Sequence, residues 1–416
     1  GLVTEAVDYE ALLNGEGQRP IGNSGVRFET GAGPREKFLK RLSATYAGPH
    51  EKIEEGVEPF VSLRQAYCTF TGDWDVDFQT MMEDWSPRGG YRSGRDHKRI
   101  SESITTASWG EINADVMYQR LISAYRDNPD YQQWRLLVSD VENVPDFRSR
   151  HWMRFGGYGD LPAVAESGTY QLTTSPTDEE VTYAVSKRGM LEDITMESVA
   201  NDQVGVVRRI PQELARSAAR TLYKFVMNMV TTDNANMDYD AAALYVAGHS
   251  NTGTTALSVA GLEATQNAMR DQTAYNQSSE ILGGRNKIKY LIVPNELSAR
   301  AQRIVAPSNA YTFALSSTPD ADTSMDPQRF MGSGIVVLTY DVLTDATDWW
   351  AVANPAEVAT VVIGFLGGRQ EPELFVQDNP SQGSSFTADK TTWKLRHVYG
   401  ADVLEHRSFY RQVVAG

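Results

Sequence analysis

Six histidines, one cysteine and a surplus of carboxylates are the residues from which chemistry could be built, and their spacing points away from the common catalytic arrangements. His50, His97, His151, His249, His397 and His406 are scattered. No pair shows the HExxH spacing that puts two imidazoles on one helix face around a zinc ion. Cys68 is alone, so neither a disulfide nor a thiolate zinc site forms within the chain. There is no GxSxG elbow, no Walker loop and no GxGxxG after a strand; Gly332-Ser333-Gly334 and Gly367-Gly368 read as turns. Glu179-Glu180, and Asp193 with Glu197, have the types for a general acid and its base. In a chain with 54 acidic and 39 basic residues such pairs arise by chance on solvated faces. No catalytic, cofactor or metal residue is assigned, and the chain is not expected to be an enzyme. Lys187 is read as a surface amine.

Composition narrows the classes further. With 416 residues, 41% of them hydrophobic, the chain can bury a substantial core and is long enough for two or three domains. A net charge of -15 and a pI near 4.9 speak against a protein that grips nucleic acid over its whole surface. No apolar run approaches the roughly 20 residues of a membrane-spanning helix, and no signal peptide opens the sequence, so a soluble protein is expected. The first residue is Gly1, which suggests a processed terminus.

The element that organises the chain is a long helix expected over residues 202–231. Leu214, Ala218, Leu222, Phe225 and Met229 recur three or four apart and should form its buried stripe, with Leu214, Leu222, Phe225 and Met229 at its centre. Pro211 is tolerable near its start, and the run Thr231 to Asn236 ends it. Residues 1–105 read instead as an extended arm punctuated by glycine and proline. Within the arm, short helices are expected at 36–45 and 62–71, which need a partner surface to be stable. Arg92 and Arg95 lie in a basic, flexible stretch, residues 87–99, suited to a solvated linker or a tether. Ser108-Trp109-Gly110-Glu111 matches a capping box that opens another helix. Residues 151–190 change to a period of two, with Val181, Tyr183 and Val185 on one face and turn material at 175–178. They suggest a long two-stranded ribbon with too little apolar surface to stand alone. Downstream, strands are expected at 289–294, 335–340, 349–353, 358–366, 393–403 and 408–414. Helices are expected at 257–271 and 296–305, and a loop at 308–331. The class is α+β.

Taken together, several segments resemble the major capsid proteins of tailed bacteriophages, in particular the relatives of the Mu major head subunit and the protease-capsid fusions. They are Asp193 to Ser198 with Asn201-Asp202, Ala218-Ala219-Arg220, Ala247 to Asn251, Leu291 to Pro294 with Glu296-Leu297, Phe365 to Glu373 and Trp393 to Arg407. The arm adds Ser62 to Tyr67 with Thr71-Gly72-Asp73. The resemblance implies the Hong Kong 97 fold. On that template, residues 1–105 are the N-terminal arm, 106–150 a helix and lead-in, and 151–190 the extended loop. Residues 191–251 and 366–416 are the peripheral domain with its spine helix, and 252–365 the axial domain. It further implies pentamers and hexamers building an icosahedral shell in the host cytoplasm and residing in the virion. That shell would enclose double-stranded DNA without sequence-specific binding. Implied partners are a portal, a scaffold, a maturation protease and decoration proteins; no cofactor is implied. Tyr170, Leu172, Val181 and Tyr183 in the ribbon, with Arg92 and Arg95, are the expected intersubunit contacts. Two rivals are an encapsulin-like compartment of the same fold and a hydrolase with dispersed acidic residues.

Overall fold

Uninterrupted apolar runs in the C-terminal half become strands buried on both faces, the environment such runs require. The computed structural model describes residues 34–46, 56–60, 63–71, 109–155, 161, 163–164, 166–170, 178–195, 206–275, 277–305, 334–377, 387–388 and 390–415. Its helices are α1 (Pro34–Thr45), α2 (Leu63–Thr71), α3 (Trp109–Arg126), α4 (Val206–Thr231), α5 (Val259–Arg270) and α6 (Asn295–Val305). The strands of its first half are β1 (Val138–Val144), β2 (Arg150–Phe155), β3 (Asp178–Tyr183), β4 (Ser186–Thr195), β5 (Thr252–Gly253), β6 (Thr273–Ala274) and β7 (Gln277–Ile281). Those of the second half are β8 (Ile288–Val293), β9 (Val336–Thr339), β10 (Trp349–Ala353), β11 (Val361–Leu366), β12 (Glu373–Gln377), β13 (Lys390–Val403) and β14 (Phe409–Gln412).

Two five-stranded sheets result. The first runs β1-β11-β13-β12, with β4 also on β13. Its axis is β13, which pairs antiparallel with β4 along Lys390 to Tyr399, with β12 at Thr392 to Arg396 and with β11 at Tyr399 to Val403. The second runs β5-β14-β10-β8-β9. In β10, Trp350 and Val352 face one core while Trp349, Ala351 and Ala353 face another, as the two-residue strand period dictates. The face carrying Trp349 packs against α5 and α6, through Leu262, Met269, Ala301 and Ile304. Ser258 caps α5 by accepting from the Gly261 amide at 3.0 Å.

α4 joins the two sheets. One continuous core holds Leu222 and Val226 of α4, Ile363 and Tyr399 of the first sheet, and Ile292 and Val352 of the second. The expected stripe is correct at Leu214 and Leu222, which are buried, but Phe225 and Met229 are only half-buried. The buried face runs through Ala215, Ala218 and Leu222, then turns to Val226, Met227, Val230 and Thr231 as the helix sinks between the sheets. A single stripe extrapolated from the first half misses that turn. Phe225 instead lies at the margin, its ring 5.4 Å from Tyr399 and covered by the Arg188 guanidinium at 4.3 Å.

The two helices expected within the arm are present, and their partner surface is internal. Phe38 and Leu42 of α1 and Tyr67 of α2 pack with Val116 and Met117 of α3 and with Trp393 of β13. Gln212 of α4 donates to the Tyr46 carbonyl at 3.0 Å, tying this layer to the long helix. Apart from Tyr46 and residues 56–60, the rest of the arm lies outside the described residues, as do the capping-box side chains and residues 308–331. Two strands group differently from expectation. β11 pairs in the first sheet, with β1 and β13, although it was expected with residues 252–365. β14 pairs in the second, with β10 and β5, although it was expected with residues 366–416. No described helix is long and apolar enough to cross a membrane.

Candidate assembly interface at the ribbon base

The ribbon begins as an antiparallel ladder of six rungs, from Arg150 opposite Tyr183 to Phe155 opposite Asp178. Two residues separate β3 from β4, where the chain joins the first sheet, so the returning strand of the ribbon is tied to the body at its base. Val181 and Tyr183 are 3% and 5% exposed, packed with Val185, Val144, Val362 and Val398 on the first sheet. The Tyr183 hydroxyl donates to the Glu142 carboxylate at 2.6 Å. These two residues are therefore not available to a neighbouring subunit, which corrects the expectation. The alternation that singled them out reports burial correctly, but the partner is this chain's own sheet. A pair of glycines makes the room: a Cβ on Gly364 would meet Val144 and Tyr183 at 2.6 and 2.7 Å, and one on Gly400 would meet the Ala184 carbonyl at 2.2 Å.

Beyond the last rung the situation reverses. Leu161 is 93% and Tyr170 85% exposed, two large apolar side chains with almost no cover from their own chain. Leu172, Arg92 and Arg95 lie outside the described residues. The Lys187 ammonium sits 5.3 Å from the centre of the Phe147 ring, an ordinary cation–π contact.

At the ribbon base, sequence reasoning missed a charge network. Arg154 of β2 pairs with Glu179 of β3 and with Glu405, which follows β13. Glu405 also accepts from the Arg407 guanidinium at 2.8 Å. All four side chains are largely buried. Buried charges persist only when paired, and removing one partner strands the other. The Arg154 guanidinium further lies 4.9 Å from the Tyr275 ring centre. A polar recess of about 440 Å³ opens beside it, lined by Glu179, Glu180, Thr182, Asp238, Tyr239 and Tyr275. Arg154 already supplies the cation that these carboxylates and rings would attract.

Next to this latch stand Asp240, His249 and His406, the one grouping among the described residues whose ligand atoms come within 4.8 Å of one another. It is poorly shaped for an ion. His249 Nδ1 lies 3.0 Å from the Leu244 carbonyl and Nε2 2.7 Å from Asp240, so both nitrogens are already engaged by oxygen atoms of the chain. The two imidazoles are stacked, 3.9 Å apart and 10° from parallel, so their in-plane lone pairs cannot converge. His406 Nδ1 is held 2.6 Å from the Tyr239 hydroxyl. Burial first, then Arg407, His249 and Arg154, push the His406 pKa down to about 2, so this imidazole stays neutral. The cluster is a polar joint between the loop after α4 and the segment linking β13 to β14. The motifs around His249 and His406 are visible in the sequence, but their meeting is not, because Tyr239 and His406 are 167 positions apart.

A family profile described as phage capsid protein matches residues 178–412. Among solved structures, the chain is similar to the capsid of an empty GTA particle, at 12% identity over 69% of this chain and 90% of that one, with a TM-score of 0.45. A structure from Mycobacterium phage Bobi gives 13% identity over the same shares and a TM-score of 0.46. The capsid of cyanophage P-SCSP1u gives 12% identity over 68% and 88%, with a TM-score of 0.42. No curated protein matches the chain.

Proposed function

This chain belongs to the phage capsid protein family, and from that premise we propose that it is the major head subunit of a tailed bacteriophage, assembling as pentamers and hexamers into an icosahedral shell around double-stranded DNA. In the Hong Kong 97 scheme, α4 is the spine helix, the first sheet forms the peripheral domain, and the second sheet with α5 and α6 forms the axial domain. The ribbon is the extended loop. The role is structural and not catalytic. Assembly takes place in the host cytoplasm with a portal, a scaffold and a maturation protease, and decoration proteins bind the finished virion.

The observation that carries this reading is the contrast along the ribbon. Its base is bound to the body by buried apolar contacts and a closed charge network, while Leu161 and Tyr170 beyond it are left in solvent. A monomer gains nothing from such an element, whereas a neighbouring subunit can cover it. At roughly 25 cal/mol per Å² of apolar surface, 200 Å² of new contact is worth about 5 kcal/mol before ordering costs.

Electron microscopy of the purified chain tests this. Closed shells or capsomer rings are expected, with nuclease-protected DNA in particles from infected cells. Replacing residues 157–176 with a two-residue Asn-Gly turn should leave circular dichroism and the melting temperature of the subunit unchanged while abolishing shells. Monomer alone under every assembly condition, with scaffold and protease present, would overturn the proposal. Shells filled with protein cargo and free of DNA would favour an encapsulin-like compartment.

A further inference from the structure

The solvent side of α4 carries a row of cations. At 100° per residue, Arg209, Glu213, Arg216, Arg220 and Lys224 fall within an arc of about 80°, along about 22 Å of helix. The three arginines and Glu213 are exposed, and Lys224 is half-buried. In a chain of net charge -15, most exposed arginines outside α4, among the described residues, stand beside a carboxylate: Arg126 beside Glu371, Arg148 beside Asp146, Arg285 beside Glu280, Arg369 beside Glu373. Among the described residues, none of the four cations on α4 has such a partner. Four positive charges against one carboxylate are thus held on a rigid helix, built at the joint of both sheets.

We propose that this row is a phosphate-binding track for the enclosed double-stranded DNA, so that the solvent side of α4 faces the lumen of the shell. The inference rests on the reading of the chain as a DNA-enclosing shell subunit, and it adds which side points inward and which residues touch the genome. Two features favour a polyphosphate over an acidic protein segment. The arc holds no apolar side chain, whereas protein partners are anchored by buried aromatic or aliphatic residues. Guanidinium groups bind phosphate oxygens in pairs without regard to base sequence. A four-cation track is also weak, which suits a genome that must later leave. The general negative charge keeps DNA off the rest of the wall.

The test compares unassembled wild-type subunit with the triple variant Arg216→Gln/Arg220→Gln/Lys224→Gln, using fluorescence anisotropy of a labelled DNA duplex. For four phosphate contacts the slope of log affinity against log salt is about -3.6, a loss of about 150-fold between 50 and 200 mM salt. The triple variant, left with Arg209, should give a slope near -0.9 and lose only about 3.5-fold. A control of equal charge change, Arg148→Gln/Arg285→Gln/Arg369→Gln, should keep the wild-type slope. In sealed shells, Arg216→Cys should resist a bulky maleimide that labels it fully in separated subunits. An unchanged slope in the triple variant, labelling of sealed shells, or binding of polyglutamate in place of DNA would each overturn the track while leaving the shell reading intact. Failure of the wild-type chain to form shells would instead strike the shell reading, and the duplex titration would still decide whether the row binds phosphate.

Discussion

His397 and Asp402 lie on one strand, β13, and burial acts on them in opposite senses. His397 packs edge-on against Tyr125 and Tyr399, at 5.9 and 4.8 Å between ring centres. Burial, with help from Arg188, lowers its pKa to about 4. The unfolded chain therefore takes up this proton first, so the residue's contribution is intact above about pH 6.5 and is lost as pH falls towards 4. Asp402 is raised to about 6, chiefly by burial and then by Asp238, against a lowering bond from the Val403 amide. Its folded form prefers the proton, so it is harmless below about pH 4 and increasingly costly as pH rises to 6. Thermal melts of single variants separate the two. His397→Phe should gain on wild type progressively below pH 6.5. Asp402→Asn should match wild type at pH 3.5 and exceed it at pH 7, each by on the order of 2–3 kcal/mol at the favourable end. An advantage independent of pH in either variant would mean that packing, not charge, explains it.

For the elements, the margin between buried and half-buried decides outcomes. Leu222→Ala, in the middle of the shared core, should cost about 2–5 kcal/mol. Phe225→Ala should cost about 1–2 kcal/mol, because that ring is partly solvated and capped by Arg188. Denaturant titrations giving the reverse order would show that the helix face has been misplaced. Gly400→Ala should yield little folded protein, since its new Cβ would strike the Ala184 carbonyl, a backbone atom that cannot swing aside. Gly284→Ala, with only a lysine side-chain carbon at 3.8 Å, should fold normally, and equal soluble yields would refute the assigned crowding. What was legible in the sequence follows the same physics. β8 and β10 are readable because both of their faces are apolar, and α4 because its period is long and regular. β12 was not read as a strand: it is short and half-exposed, and it exists because β13 offers it an edge. The Arg154–Glu405 latch was unreadable because neither residue differs from any solvated charge until the fold brings them together.

Over the whole molecule, α4 leaves no seam between the two sheets, since Leu222, Val226 and Val230 belong to the same core as Ile363 and Ile292. Domains that share their central helix in this way should melt together. Calorimetry of the unassembled subunit is expected to show a single transition, with the fluorescence of Trp349 and Trp350 and that of Trp393 changing at one midpoint. Two resolved peaks would mean that the sheets are separately stable. The place of β14 carries a further consequence, one of timing on the ribosome. This strand sits between β5 and β10, with Arg411 opposite Thr252, so a strand translated early waits for one translated far later. At roughly 5–20 residues per second, the interval is about 8–32 s, during which β5 has no strand beside it to join it to the second sheet. A nascent chain on a polysome therefore cannot present a finished subunit to its neighbours before β14 has been released. Stopping translation before Phe409 should give a product that proteases degrade at once, whereas stopping after Gln412 should give one that resists them.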